Sequence, residues 1–106
     1  MISTAAPLKS ETLAAPRAGL SERPAVVIQL AAHRSDARAR ANWRRLRAAF
    51  PDLLGDLAPV IQRADLGARG VFYRVRTGPF KIRAEAQGLC RQLRARGQDC
   101  LVVAAP

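Results

Sequence analysis

The stretch that decides the fold is VFYRVRTGPF at residues 71–80, followed after two residues by RAEA at 83–86. The aromatic and β-branched residues before Gly78-Pro79 favour a β-strand, and the Gly-Pro pair is a turn signal. The residues beyond it repeat hydrophobic side chains at helical spacing. We therefore predict a strand over 71–77 that stops at the Gly-Pro pair, followed by a helix over 82–96.

The rest of the chain supplies the partners of this strand and helix. Alternating or apolar runs predict further strands over 25–32, 59–66 and 100–104. Hydrophobic residues at helical spacing predict another helix over 36–50. The order β-α-β-β-α-β predicts an α+β fold, with a four-stranded antiparallel sheet and both helices on one face, of the ferredoxin or RNP-like type. The opposite face of the sheet is left open, and we expect function there.

Side-chain alternation predicts which residues face the open side. Tyr73 with Val75 is the better core pair of the third strand, so the residues that alternate with them turn outward. The predicted outward set is Val27, Gln29, Ala31, Phe72, Arg74, Arg76, Leu101 and Val103.

The composition is strongly basic, with 18 Lys and Arg against 8 Asp and Glu and a formal net charge of +10. This balance predicts attraction to a polyanion: nucleic acid, anionic lipid or a carboxylate-bearing wall. A GC-rich genome would also raise the Arg content without any functional consequence. No apolar run reaches the ~18 to 20 residues that a membrane span requires.

The chain divides into a tail and one domain. Residues 1–24 mix small, polar and proline residues without a sustained period, which predicts a flexible linker, and 25–106 form the domain. The tail also lacks the basic start and unbroken apolar stretch of a secretory signal. If the protein acts outside the cytoplasm, we expect its export signal or membrane anchor upstream of this sequence.

The stretch at 71–80, taken with Val27, Gln29 and Leu30 in the first strand, resembles the signature of the SPOR (sporulation-related repeat) domain. The resemblance covers residues 25–104. Members of that family bind the glycan strands of bacterial cell wall and have no catalytic chemistry. The resemblance implies a periplasmic peptidoglycan-binding domain that targets a larger exported protein to the division septum. At the septum, glycan strands are stripped of their stem peptides. Division proteins are implied as further partners.

The ligand-binding residues that the resemblance implies lie on the open sheet face: Gln29, Ala32, Phe72, Arg74, Arg76, Leu101 and Val103. An amide can bond sugar hydroxyl and acetamido groups, an aromatic ring can stack on a pyranose, and arginines can bond hydroxyls or carboxylates. Leu101 stands where relatives tend to place an aromatic residue, which leaves fewer rings for stacking.

Cys90 and Cys100 are the only cysteines, and a helix-turn-strand return between them can bring them within bridging reach. Similar pairs occur in SPOR domains, so the resemblance implies a disulfide and supports a periplasmic setting. Two reduced, buried thiols are the alternative.

Catalytic signatures are missing from the sequence. It has no clustered carboxylate pair, no Cys-His or Ser-His arrangement and no P-loop. The single histidine and the cysteine spacing do not suit a metal site. We therefore expect a non-enzyme without metal or cofactor.

Two other interpretations use the same fold. Arg69-Gly70-Val71-Phe72 resembles the start of the third strand in RNA-recognition modules, and the net charge agrees. Arg74 and Arg76 then stand where further aromatics are expected, and a disulfide argues against a cytoplasmic RNA binder, so nucleic acid is disfavoured. The third interpretation is a protein-interaction module of the division machinery, docked through the open sheet.

Overall fold

Four strands and three α-helices make up residues 25–105, the part of the chain that the computed structural model describes. The elements in chain order are β1 (Val26–His33), α1 (Asp36–Ala49), α2 (Pro51–Leu54), β2 (Pro59–Asp65), β3 (Val71–Phe80), α3 (Arg83–Ala95) and β4 (Leu101–Ala104), with a 3₁₀ turn at Gly67–Arg69 between β2 and β3. The predicted linker, residues 1–24, lies outside the described residues.

The sheet has the order β2-β3-β1-β4, and every neighbouring pair is antiparallel. Helix α1 packs against β1, β2 and β3, and α3 packs against β1, β3 and β4. These contacts confirm the predicted α+β fold, and they leave one face of the sheet without a helix. No helix within residues 25–105 is long and apolar enough to cross a membrane.

Both long helices carry the end signals that their sequences specify. Ser35 caps α1, since its Oγ accepts a hydrogen bond from the Arg38 amide at 3.1 Å. Helix α3 ends in a Schellman motif, in which the amides of Gly97 and Gln98 donate to the carbonyls of Arg94 and Leu93. Gly97 has a φ of 88°, which glycine adopts without the steric cost of a β-carbon.

The core lies between the helices and the sheet. Its members are the buried residues Val26, Ile28, Leu30, Ala39, Trp43, Leu46, Leu54, Val75, Ala86, Cys90, Leu93 and Cys100. Cys90 on α3 and Cys100 before β4 are joined in a disulfide with a Cα–Cα distance of 5.2 Å. A bridge that closes a loop of this length adds about 3 kcal/mol in the chain-entropy model, which matters for so small a core.

Strand β3 does not stop at the Gly-Pro pair, so its predicted end at Thr77 was wrong. Thr77 pairs with Ile28, and the next pair is Phe80 with Val26, which places Gly78 and Pro79 together opposite Val27. Two residues facing one is a β-bulge, and a bulge accommodates a proline that cannot donate to the ladder. Antiparallel β2 and β3 are joined as a hairpin whose connection contains the 3₁₀ turn, and the other elements begin and end within one residue of their predicted bounds.

A second bulge, in β1, changes which residues reach the open face. Gln29 pairs with Arg76, but the following pair is Ala31 with Val75, so Leu30 is the extra residue. Strict alternation had predicted Ala31 on the open side, which was wrong because the bulge reverses the alternation. Ala31 packs against the core, and Ala32, opposite Arg74, is exposed on the open face.

Candidate functional site on the open sheet face

Strand register brings the predicted site residues into rows across the helix-free face. Arg76, Gln29 and Leu101 lie side by side on β3, β1 and β4. The next row contains Arg74 and Ala32, and Phe72 lies further along β3. The face therefore combines an amide, an aromatic ring and two guanidinium groups contributed by the two central strands.

Arg76 lies on this face, as predicted, but most of its surface is covered. Only 7% of it is exposed. Its Nε donates to Gln29 Oε1 at 2.9 Å, and its Nη1 donates to Gln62 Oε1. Burial lowers the pKa of the Arg76 guanidinium from its usual value, and the neighbouring positive charge of Arg74 lowers that pKa further. The sequence missed the role of Gln62, because Gln62 meets Arg76 only through the diagonal contact between β2 and β3.

The hydrogen bond from Arg76 fixes the direction of the Gln29 amide. Its oxygen accepts from Arg76, which leaves Nε2 as the donor end. Arg76 therefore orients the side chain of Gln29, whose strand lies between β3 and β4.

The ring of Phe72 is half-buried, and one of its faces is covered by Arg34. The guanidinium carbon of Arg34 lies 4.5 Å from the ring centroid, at cation–π distance. Gly70 makes room for this arginine, since a β-carbon at Gly70 would lie 3.0 Å from Arg34 Nη1. Sequence reasoning did not identify Arg34, which immediately follows β1 and reaches the ring only because β1 pairs with β3.

A shallow cavity of about 220 Å³ opens on this face. Four predicted residues line it together with two others: Gln29, Ala32, Phe72, Arg74, Leu66 and Arg69. Leu66 and Arg69 belong to the connection between β2 and β3, and the sequence did not indicate them as site residues. We call this space the arginine cavity.

A second cavity, of about 370 Å³, adjoins the first across β1, and we call it the edge cavity. Its lining residues are Gln29, Leu30, Ala31, Ala32, Arg94, Asp99, Cys100 and Leu101. It exists because β4 pairs only with residues Val26 to Gln29 of the longer β1. The side chain of Gln98 covers part of the exposed edge, since its Nε2 donates to the Leu30 carbonyl at 3.1 Å.

The two apolar residues predicted on β4 differ in position. Leu101 is 57% exposed, pairs with Gln29 and lines the edge cavity. Val103 is half-buried, pairs with Val27 and lies outside both cavities.

Within the described part of the chain, no group of three or more His, Cys, Asp or Glu side chains could hold a metal ion.

Comparisons with known proteins give one family model that matches the sequence and two solved structures that share the fold. The family model described as SPOR domain matches residues 22–104. The solution structure of the peptidoglycan binding domain of the B. subtilis cell wall lytic enzyme CwlC is similar, with 18% identity, a TM-score of 0.58, and coverage of 80% of this chain and 94% of that one. The crystal structure of the RlpA SPOR domain from Pseudomonas aeruginosa is also similar, with 18% identity, a TM-score of 0.55, and coverage of 76% and 99%. No curated protein sequence matches this chain significantly.

Proposed function

Because the chain belongs to the SPOR domain family, we propose that its open sheet face binds the glycan strands of bacterial peptidoglycan, as a non-catalytic module. One observation carries the proposal. An aromatic ring, Phe72, shares a cavity on a helix-free face with the amide of Gln29 and the guanidinium of Arg74. A ring offers an apolar surface to the flat face of a pyranose, while the amide and guanidinium bond its polar rim.

The donor end of Gln29 suits the groups that a glycan strand presents. Nε2 can donate to a hydroxyl or to the carbonyl oxygen of an acetamido group. Because Arg76 holds the amide oxygen, the Gln29 side chain is already ordered before the ligand binds. A group that is ordered in advance loses less conformational entropy on binding.

The pair of cavities favours a polymer over a single sugar. Gln29 and Ala32 line both the arginine cavity and the edge cavity, so a strand that occupies one continues into the other across β1. Ala32 is small and exposed, which leaves the passage between them open. Leu101 adds an apolar surface on the far side.

The proposal extends to the cellular role that the family implies. The preferred strands are those stripped of stem peptides at the division septum, and the domain carries a larger exported protein to that site, with division proteins as further partners. The disulfide between Cys90 and Cys100 fits an oxidising compartment such as the periplasm.

Co-sedimentation with purified sacculi tests the binding proposal. Sacculi are compared before and after an amidase has removed the stem peptides, and the expected result is stronger binding after treatment. Failure to sediment with either preparation would refute the proposal.

Single-stranded RNA is the appropriate competitor, because the net charge of +10 attracts any polyanion and the sheet topology is shared with RNA-binding modules. Sugar recognition predicts that RNA leaves sedimentation unchanged at moderate salt. Binding that RNA or salt removes completely would instead identify a non-specific electrostatic interaction.

A further inference from the structure

The arginine cavity has a charge pattern that a neutral sugar does not explain. Two of its lining residues, Arg69 and Arg74, are basic, and none is acidic. Arg34 adds a third guanidinium over the Phe72 ring. The acids that form ion pairs within residues 25–105 are Asp36 and Asp52, and their partners are Arg40 on α1 and Arg96 just after α3.

The surroundings strengthen the attraction that this cavity exerts on an anion. Leu66 and Phe72 form its apolar walls, and apolar walls reduce the screening of charge by water. The positive charge of Arg74 also contributes to the lowered pKa of Arg76 beside it. An anion placed at Arg74 would relieve this repulsion between neighbouring guanidinium groups.

The edge cavity lacks this pattern. Its one basic residue, Arg94, donates through Nη1 to the Cys100 carbonyl at 2.7 Å. Asp99 lines the same space, and its negative charge would repel an anion. The arginine cavity therefore attracts negatively charged groups and the edge cavity does not, although both can hold polar sugar groups.

On the basis of the proposed function, we infer that Arg74 and Arg69 bind the lactyl carboxylate of muramic acid. The edge cavity then holds an uncharged part of the glycan strand. The lactyl carboxyl is the ionisable group on the sugar chain itself. While a stem peptide is attached, this carboxyl is an amide and carries no charge. Removal of the peptide exposes a carboxylate, which a guanidinium binds with paired, charge-assisted hydrogen bonds.

This assignment makes Arg74 and Arg69 specificity-determining residues. It provides an attractive term that exists only for stripped strands, in addition to any steric exclusion of the peptide. It also sets the register of the bound strand, because a muramic residue lies towards β2 and a neutral portion lies towards β4.

The test uses the 106-residue chain and amidase-treated, washed sacculi in two forms. One form keeps its lactyl carboxylates, and in the other they are reduced to alcohols by carbodiimide activation and borohydride. Reduction should weaken wild-type binding roughly tenfold or more, the usual size of a hydrogen bond to a charged group. The Arg74→Gln variant should bind the unreduced sacculi as weakly as the wild type binds the reduced sacculi. It should also bind the two forms equally.

Arg45→Gln is the matched control, since it removes the same charge from an exposed position on α1. It should keep the preference for unreduced sacculi. Arg69→Gln, in the 3₁₀ turn, repeats the test outside the sheet if Arg74→Gln does not fold. Equal wild-type binding to both forms would overturn the carboxylate assignment and leave glycan binding intact. Absence of binding to both would refute the proposed function and this inference with it.

Discussion

Arg76 Nε donates to Gln29 Oε1 at 2.9 Å, across neighbouring strands and 47 positions apart in sequence. The guanidinium also donates to Gln62 Oε1, so a single arginine in β3 joins side chains of β1 and β2 on the open face. The amide that we propose to contact the glycan is therefore oriented by a residue that is itself almost buried.

The first prediction tests this coupling. Arg76→Met should weaken binding to amidase-treated sacculi because the Gln29 amide loses its orientation. Gln29→Ala should weaken binding by a similar factor, and the double variant should be no worse than either single one. Sedimentation isotherms of the three variants provide the measurement.

Gln62→Ala is the control for that cycle, since it removes the other acceptor of Arg76 without altering the lining of either cavity. Additive losses in the double variant would show that Arg76 contacts the ligand independently. Urea unfolding should show that Arg76→Met costs about 1 to 3 kcal/mol, because two partly buried amide oxygens lose their donor.

The second prediction concerns the ring and the amide together. Phe72→Ala combined with Gln29→Ala should abolish sedimentation with sacculi, since it removes both the stacking surface and the donor. The fold should survive, because Phe72 is half-buried and its contact with Arg34 contributes only about 1 kcal/mol. Ile82→Ala, at a 55% exposed hydrophobic position outside both cavities, is the matched apolar control. Full retention of sedimentation by the double variant would exclude this face.

The third prediction follows from the bulge at Leu30. Ala32→Leu should leave the free energy of unfolding nearly unchanged, since Ala32 is exposed, but should block binding by filling the passage between the two cavities. Ala48→Leu, at an exposed position of α1, adds the same volume elsewhere and should have no effect on binding. Destabilisation by Ala32→Leu would contradict this prediction, because it would mean that residue 32 faces the core.

That bulge shows where sequence reasoning reached its limit. Periodicity predicted the strands, the helices and their order, because hydrophobic spacing and the signals at Ser35 and Gly97 act locally. The outward position of Gln29 followed from the same alternation. Ala31 and Ala32 could not be assigned by alternation, since one extra residue reverses the pattern and has no composition signal of its own.

The second limit was contact between distant segments. Arg34 over Phe72 depends on the pairing of β1 with β3, and the lining of the arginine cavity by Leu66 and Arg69 depends on how the β2–β3 connection folds. The sequence also did not indicate that the Arg76 guanidinium is hydrogen-bonded within the protein, because the two amide oxygens that accept from it come from other strands.

The fourth prediction concerns the disulfide. Cys90→Ala with Cys100→Ala should lower the free energy of unfolding by about 2 to 5 kcal/mol relative to the oxidised protein. Both sulfurs are buried, so the loss also includes core contacts. Urea midpoints with and without dithiothreitol provide the measurement. The wild type should shift towards lower urea on reduction, and the double variant should not respond. An unshifted wild type would mean that the bridge contributes nothing to stability.

The fifth prediction is a gain of affinity at the edge cavity. Leu101 is 57% exposed and lies beside Gln29, so a ring at this position can reach the same ligand without disturbing the core. Leu101→Tyr should tighten binding to amidase-treated sacculi by about 2- to 10-fold, the range expected from one added aromatic contact. Ile82→Tyr adds an equal ring at an exposed site outside the cavities and controls for non-specific adhesion to the wall. If both variants bind more tightly by the same factor, the gain is adhesion; a gain confined to Leu101→Tyr means that the strand crosses β1 and reaches β4.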